Sequence, residues 1–479
     1  MLFSQKFFFS SEPGVLRQYA VVIFVNLSVL TTGMSVAWPS PMLVKLTNAT
    51  ETPLYRTITE EEGSWIVSIG FLCTMFTNIP LGMLIDSIGR KYCAILACIP
   101  KIIVSIIYIF VSDVWMLILG RAIIGATDSF VFTVVPIYSS EIASKEMRGS
   151  LGTFLQIFSS LGIVVTLSVG PYTSYTTFNI VFAIINIIVS IPLLFMPDSP
   201  FFLYSKGKTN EAYNVLKVLR GNDQLAKEEI ASYALSTENK VDKISLLKNK
   251  VVLKCLAVAM ILCAGSQLVG FNAVSLYLQT ILVSTRTKVK PEMASVVIGV
   301  IQVFASFCTT VMMDRFKRKQ ILISSLIGML IGLVGLGAFF KLREDTEVQG
   351  FLNYLPLISL ILVVYCYSAG MGSLIWLLVA ELFDGPARAF GVSISLIINT
   401  LSVFITTKYF STLTIVLGPA ITYWLFSGCC LITCIFIYYC VPETKGKTFR
   451  EIQEYFEGDK IKKDLENGDD LTLAVPNHK

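Results

Sequence analysis

The sequence predicts an all-α membrane protein of twelve transmembrane helices arranged as two six-helix halves. Mean hydropathy is +0.70, with 54% hydrophobic and only 15% charged residues over 479 positions. Soluble globular chains carry roughly 25% charged residues. The apolar residues are clustered in runs of about 20, enough at helical rise to cross a ~30 Å hydrocarbon core. A set of charged motifs then recurs in corresponding places of the two halves.

Apolar runs place the first six spans near 18–40, 64–85, 92–111, 114–138, 152–172 and 176–196. The last six fall near 252–283, 293–313, 320–340, 354–380, 390–412 and 415–441. The first lies so close to Met1, and is so long, that it reads as a signal-anchor rather than a cleaved signal peptide. Spans 3, 4 and 11 carry charges within their apolar runs: Lys101, Arg121 with Asp128, and Lys408. Residues 1–197 form the first half, 198–250 a cytoplasmic linker, 251–441 the second half and 442–479 a tail. Ala212, Val215, Leu216 and Leu219 recur at helical spacing in the linker, so short amphipathic helices are expected on the cytoplasmic face. The tail after about 458, mixed in charge and poor in apolar residues, reads as disordered.

An even number of spans puts both termini on one side. With that side cytoplasmic, 27 of the 38 Lys and Arg fall in the tails and cytoplasmic loops, Lys254 lies at the cytoplasmic start of span 7, and seven fall in external loops. This is the positive-inside pattern. Asn48-Ala49-Thr50 then lies in the first external loop, where a glycosylation acceptor belongs. The formal net charge of +5 is accounted for by those loops and does not call for nucleic acid. His478 is the single histidine, and the eleven cysteines show no C-x-x-C spacing. Neither a zinc site nor a histidine-based catalytic triad has raw material, so neither a metal, a cofactor nor an enzyme is expected. Most cysteines lie within apolar runs and read as small buried apolar residues.

The repeat carries the functional reading. Asp86-Ser-Ile-Gly89-Arg90-Lys91 follows span 2, and Asp314-Arg315-Phe-Lys317-Arg318-Lys319 follows span 8. Glu141 and Arg148 bracket the end of span 4 at a spacing that Glu381 and Arg388 repeat at span 10. Pro197-Asp198-Ser199 closes span 6, and Pro442-Glu443-Thr444 closes span 12. Two homologous halves around a midplane site make a transporter that works by one half rocking on the other. Asp86, Arg90, Glu141, Arg148, Asp314, Arg315, Arg318, Glu381, Arg388 and Glu443 are assigned to a cytoplasmic gating network. In it, opposite charges pair when that face is shut.

At these residues the chain resembles the sugar porter family of the major facilitator superfamily. The motifs are Gly82-x-x-x-Asp86-x-x-Gly89-Arg90-Lys91, Gly120-Arg121-x-x-x-Gly125, Pro136-x-Tyr138-x-x-Glu141-Ile142-Ala143 and Arg148-Gly149-x-Leu151-Gly152. Two more are Gln267-Leu-x-Gly270-x-Asn272 and Val441-Pro442-Glu443-Thr444-Lys445-Gly446. Gly33-Met34-Ser35-Val36 is most similar to the insect facilitated trehalose and glucose transporters. The resemblance implies the major facilitator fold, a sugar as small-molecule partner, and residence in the plasma membrane bilayer. It also implies sugar-binding positions at Gln156, Ser266, Gln267, Asn272, Gln302, Trp376 and Asn399. Amides suit a ring of hydroxyls, and an indole suits the apolar face of a sugar. For each amide alone, a helix–helix hydrogen bond of about 0.6–2 kcal/mol is the plainer role.

Departures from the family are as informative. Ser266 replaces a usual glutamine, and Ser373-Leu374-Ile375-Trp376 lacks both prolines of the span 10 motif, so the helix break there is expected to be lost. Asp198 replaces Glu, Phe201 replaces Arg, Lys317 replaces Gly, and Thr400 replaces an aromatic. Proton-driven members carry an Asp in span 1 where this chain has Ser35, so the expected activity is facilitated diffusion of a hexose or disaccharide. Proton symport, transport of another polyol or small neutral solute, and a non-transporting sugar sensor are the alternatives. Lys101 and Asp128 are costly in a bilayer, at least about 2.5–3.5 kcal/mol each on insertion scales. They lie at equal depth in neighbouring antiparallel spans, and an ion pair between them is expected. A titrating proton site at Asp128 is the sharper alternative.

Overall fold

The computed structural model describes residues 13–144, 147, 151–236, 250–345, 350–383, 385–445, 447, 451–452 and 455. Every regular element among them is helical. Ten helices are long and apolar enough to cross a membrane, and an eleventh crossing is the pair Glu60–Asn78 and Pro80–Ile88, bent by 62°. A further apolar helix, Phe154–Val169, is shorter at 16 residues and occupies the expected fifth run. The chain is therefore an integral multi-pass membrane protein.

Local chemistry sets several helix starts. Span 2 opens at Glu60 behind a capping box, in which the Thr59 side chain accepts from Glu62 N and the Glu62 carboxylate accepts from Thr59 N. Three acids in its first turn suit the positive end of the helix dipole. Span 6, Tyr175–Phe195, opens where Ser174 Oγ accepts from Thr177 N.

Three spans depart from the expected outline. Span 1 extends over Gly14–Thr47, as Pro13–Ala37 continued by Pro39–Thr47. Span 7 breaks into Lys250–Leu268, Phe271–Leu276 and Leu278–Thr285. Its first break is at Gly270, whose φ of +83° is left-handed and where a side chain would meet the Phe426 ring 2.5 Å away.

Span 10 keeps a distortion despite lacking the prolines. Leu355–Cys366 passes into a π-helical turn, Tyr367–Met371, before Gly372–Glu381. The backbone groups released there find hydroxyl partners. Ser325 Oγ in span 9 donates to Cys366 O at 2.7 Å and accepts from Met371 N at 3.2 Å. Ser368 O accepts from both Thr309 and Ser373 at 3.0 Å. A wide turn with side-chain partners takes the place that a proline kink was expected to leave vacant.

Spans 2 (Glu60–Ile88) and 4 (Val114–Ile142) run side by side in fixed register. Thr74 Oγ1 donates to Gly125 O at 2.8 Å, Ser129 donates to Asn78 Oδ1, and Arg90 just beyond span 2 meets Glu141, every pair 51 residues apart. The helices approach this closely because a Cβ on Gly125 would lie only 2.2 Å from Gly70 O. Small residues that let backbones meet are the usual glue of membrane helices.

The linker forms Pro200–Ser205, Thr209–Arg220 and Asp223–Ser236. Ala212, Leu216 and Leu219 are buried and Val215 partly so, as the amphipathic pattern required. Gln18 Nε2 donates to Leu219 O at 3.0 Å, and Arg220 Nη1 donates to Ile142 O at 2.7 Å, so the linker is tied to the ends of spans 1 and 4. Lys227, with Tyr213 and Lys217, hydrogen-bonds the exposed Asp223 carboxylate and holds its pKa well below the usual range.

Gly125→Ala should destabilise the protein by about 1–3 kcal/mol through overpacking against Gly70. Gly82→Ala, where a Cβ meets nothing within 4 Å, should be neutral. Thermal unfolding of the two detergent-purified variants checks this, and equal midpoints would contradict the close-packing account.

Candidate functional site

A cavity of about 580 Å³ lies between the first six and last six spans. Thr74 and Asn78 of span 2, with Arg121, Asp128 and Ser129 of span 4, line one wall; Trp376, Asn399 and Thr400 of spans 10 and 11 line the other. Trp376 is 38% exposed, unusual for tryptophan among packed helices, because its ring borders this space.

The break in span 7 gathers the expected amides. Gln267 Nε2 donates to Asn399 Oδ1 at 2.8 Å and to Ser266 Oγ at 3.2 Å. Asn272 Nδ2 donates to Gln267 Oε1 across the left-handed Gly270, and Phe271 stacks on Tyr367 of the π turn at 3.7 Å between ring centroids. Four expected positions thus form one hydrogen-bonded cluster, which reaches the cavity through Asn399. Gln302 is buried and Gln156 half-buried, and no hydrogen bond among the described residues links either to that cluster.

The intramembrane charges form a second cluster. Lys101 Nζ is 2.6 Å from Asp128 Oδ1 and donates to Thr32 Oγ1, also at 2.6 Å. Ser35 Oγ donates to Asp128 Oδ2 at 2.6 Å. Arg121 Nη1 donates to Ser35 O at 2.7 Å and its Nε to Ile66 O at 3.2 Å, with the guanidinium over Trp38. Lys101 is 1% exposed and Asp128 8%, the carboxylate alone of the pair lining the cavity. Two basic side chains and one acidic side chain thus share the site, with the Asp128 carboxyl contacting both Lys101 and Ser35.

The charged motifs occupy one face, together with the linker. Arg90 makes a forked contact with Glu141, at 3.0 Å from Nη2, and a longer one of 3.4 Å to the largely exposed Asp86. Arg318 lies 3.9 Å from Glu381. The repeat holds in three dimensions: the Asp198 carboxylate accepts from Lys91 N at the start of span 3, as Glu443 accepts from Arg318 N and Lys319 N at the start of span 9. Ser199 hydrogen-bonds Glu141, and Thr444 does the same to Glu381. These ion pairs each lie within one set of six spans rather than between the two. Arg315 is exposed with no ion pair among the described residues. Arg148 and the side chains of Asp314 and Arg388 lie outside the described residues.

Spans 5 and 8 meet within the membrane, where Ser160 Oγ and Ser306 Oγ lie 3.0 Å apart. A further group of contacts between the two sets of spans lies on the face opposite the linker. Lys408 Nζ donates to Ser64 Oγ at 2.8 Å and sits 4.1 Å over the Trp65 ring. Ser411 Oγ donates to Glu60 Oε2 at 2.6 Å, and Gln279 N donates to Ser40 Oγ at 3.0 Å. Sequence reasoning placed Lys408 in a span without giving it a role. Its spacing of three from Ser411, on one helix face, was the available signal. Asn48 is exposed on this face, its Oδ1 accepting from Thr50 N at 3.1 Å.

Asp128→Asn leaves Lys101 buried beside a neutral partner and should cost about 3–5 kcal/mol. The double variant Lys101→Met/Asp128→Asn should recover most of that loss. Thermal unfolding of purified protein reads both, and an equally unstable double variant would contradict the ion-pair account.

Comparison with known proteins gives the family and the fold. The family model for sugar (and other) transporters matches residues 21–456. The facilitated trehalose transporter Tret1 of Polypedilum vanderplanki is 29% identical over 93% of this chain and 89% of its own length. The same-named transporter of Apis mellifera ligustica is 30% identical over 92% and 88%. Among solved structures, the inward-open xylose transporter XylE from E. coli superposes with a TM-score of 0.76 at 20% identity, covering 91% of this chain and 99% of that one, so the fold is the major facilitator fold. With its charged motifs repeated in space and its family match running from the first span into the tail, the chain belongs to the sugar (and other) transporter family.

Proposed function

We propose that the protein carries a hexose or disaccharide across the plasma membrane by facilitated diffusion, with alternating access and no cofactor. The observation that carries this reading is the cavity of about 580 Å³ between the two halves, with an indole on one wall and hydrogen-bonding side chains on both. A neutral polyhydroxylated solute matches that lining, and the names of the trehalose-transporting relatives support a sugar.

In this reading the linker face is cytoplasmic, as the Lys and Arg bias favours, and Asn48 is an external glycosylation acceptor. Residues 1–197 and 251–441 are the rocking halves. Lys408, Ser64, Trp65, Glu60 and Ser411 hold the external face shut, while among the described residues the ion pairs of Arg90 and Arg318 each stay within one half. That is an inward-facing state. Gln267, Asn272, Asn399 and Trp376 bind the sugar, with Ser266 orienting Gln267.

Uniport follows from the charge cluster. Ser35 stands where a span 1 carboxylate would take up a proton, and the nearby Asp128 is already matched by Lys101 and Ser35. One observation favours the second reading, proton symport: Asp128 does border the cavity.

The test is uptake of labelled glucose and trehalose into cells displaying the protein, with and without a protonophore. Saturable uptake of one sugar, unchanged by the protonophore, is expected; abolished uptake selects symport, and no uptake of either sugar overturns the substrate assignment. Lys408→Met should weaken the external closure and raise the outward-facing population, lowering the KM for external sugar severalfold. An unchanged KM with normal surface expression would remove Lys408 from the external gate.

A further inference from the structure

Asn78 and Ser129 were not among the expected sugar-binding positions, yet both line the central cavity beside Asp128. Ser129 hydrogen-bonds Asn78 Oδ1, which fixes the amide and leaves its Nδ2 without a hydrogen-bond partner among the described residues. Asn78 is the last residue before span 2 bends by 62° into Pro80–Ile88. Helices interrupted near the bilayer midplane are where transporters commonly build solute sites.

The neighbouring carboxylate has complementary capacity. Asp128 accepts from Ser35 at Oδ2 and faces Lys101 at Oδ1, but an ionised carboxylate offers about four acceptor positions. Its charge is matched by Lys101, so a neutral ligand can approach without stranding a free anion in the membrane interior. A sugar hydroxyl both donates and accepts. One amide N–H and one carboxylate oxygen on the same wall therefore offer it both partners, while Trp376 on the opposite wall offers a surface for the apolar face of the ring.

On the C-terminal side Gln267 and Ser266 are engaged with other residues of the chain. Gln267 spends its N–H groups on Asn399 and Ser266 and its carbonyl on Asn272. Ser266, in place of a second amide, donates to Cys263 O at 2.6 Å. The first-half wall thus has donor and acceptor capacity left at Asn78 and Asp128, facing Trp376 and Asn399 across the cavity.

We propose that Asn78 and Asp128 are a sugar-recognition pair on the first-half wall, with Ser129 positioning Asn78, and that this pair compensates for the glutamine replaced by Ser266. The proposal rests on the reading of the protein as a sugar transporter. Asn78 donates to a hydroxyl of the sugar ring, and Asp128 accepts from the same hydroxyl or its neighbour. The pair sets which stereochemistry is preferred.

The experiment measures uptake of labelled glucose and trehalose by wild type, Asn78→Ala and Ser129→Ala at matched surface expression. Single-deoxy analogues of whichever sugar is taken up serve as competitors. Asn78→Ala should raise KM about tenfold with Vmax within twofold, the equivalent of about 1.4 kcal/mol of binding. One deoxy analogue, lacking the hydroxyl that Asn78 meets, should bind wild type about tenfold worse than the parent sugar yet bind Asn78→Ala no worse. That lost discrimination at one position is what a purely structural asparagine would not produce. Ser129→Ala should shift KM in the same direction by less. Where Asn78→Ala lowers Vmax alone, or weakens every analogue equally, the recognition pair is overturned while the transport reading stands. Wild type that takes up neither sugar overturns both.

Discussion

Lys101 is buried almost completely in a membrane span, and much of the first half is arranged around neutralising it. Its ammonium reaches Asp128 of span 4 and Thr32 of span 1, and Ser35 of span 1 returns to the same carboxylate. Arg121, one span away, is held by carbonyls of spans 1 and 2. In hydrocarbon there is no water to take over any of these contacts, so the four helices are bound to one mutual geometry. The cavity wall is the exposed edge of that cluster. A polar surface therefore faces the solute path without leaving an unmatched anion.

The same demand for internal partners explains the irregular helices. At Gly270 and at Tyr367–Met371, backbone groups lose their regular helical bonds. Hydroxyls from Thr309, Ser325 and Ser373 take them up at the π turn, and Phe271 of span 7 stacks on Tyr367 there. The two irregularities are thus packed together, next to the Gln267, Asn272 and Asn399 cluster. Straight helices would present side chains only at helical spacing. Interrupted ones bring Gln267 and Asn272, five residues apart and on either side of Gly270, into direct contact.

The halves repeat their architecture more faithfully than their chemistry. Asp198 and Glu443 cap equivalent helix starts, and Ser199 and Thr444 reach equivalent glutamates. Among the described residues the buried charge cluster belongs to the first half, and the amide cluster to the second. An indole on one wall faces an anion matched by cations on the other, which suits a solute with one apolar face and several hydroxyls. In the proposed transport cycle, the ion pairs of the linker face and the cation–π contact of Lys408 on the other bias which end of the path is closed.

Twelve apolar runs, the charge bias of the loops and the repeated motifs are linear properties of the chain, and they determined the fold class and the integral membrane character. The bilayer makes them legible, because its thickness sets span length and its dielectric penalises charge. The Lys101–Asp128 proximity could be derived as well, since depth follows from helical rise and neighbouring spans are antiparallel. Tertiary structure alone decided which amides meet. Gln267, Asn272 and Asn399 converge because span 7 breaks at Gly270, whereas Gln156 and Gln302, equally plausible in sequence, stand apart from the cluster. Span 10 shows the limit most clearly. Its missing prolines argued for a regular helix, but hydroxyls from other spans stabilise a π turn, and no local pattern in 354–380 encodes partners that come from Thr309 and Ser325. The contacts of Asn78 and Lys408 were hidden for the same reason: each meets a residue on another helix, Ser129 or Ser64, at a distance in sequence that only packing closes.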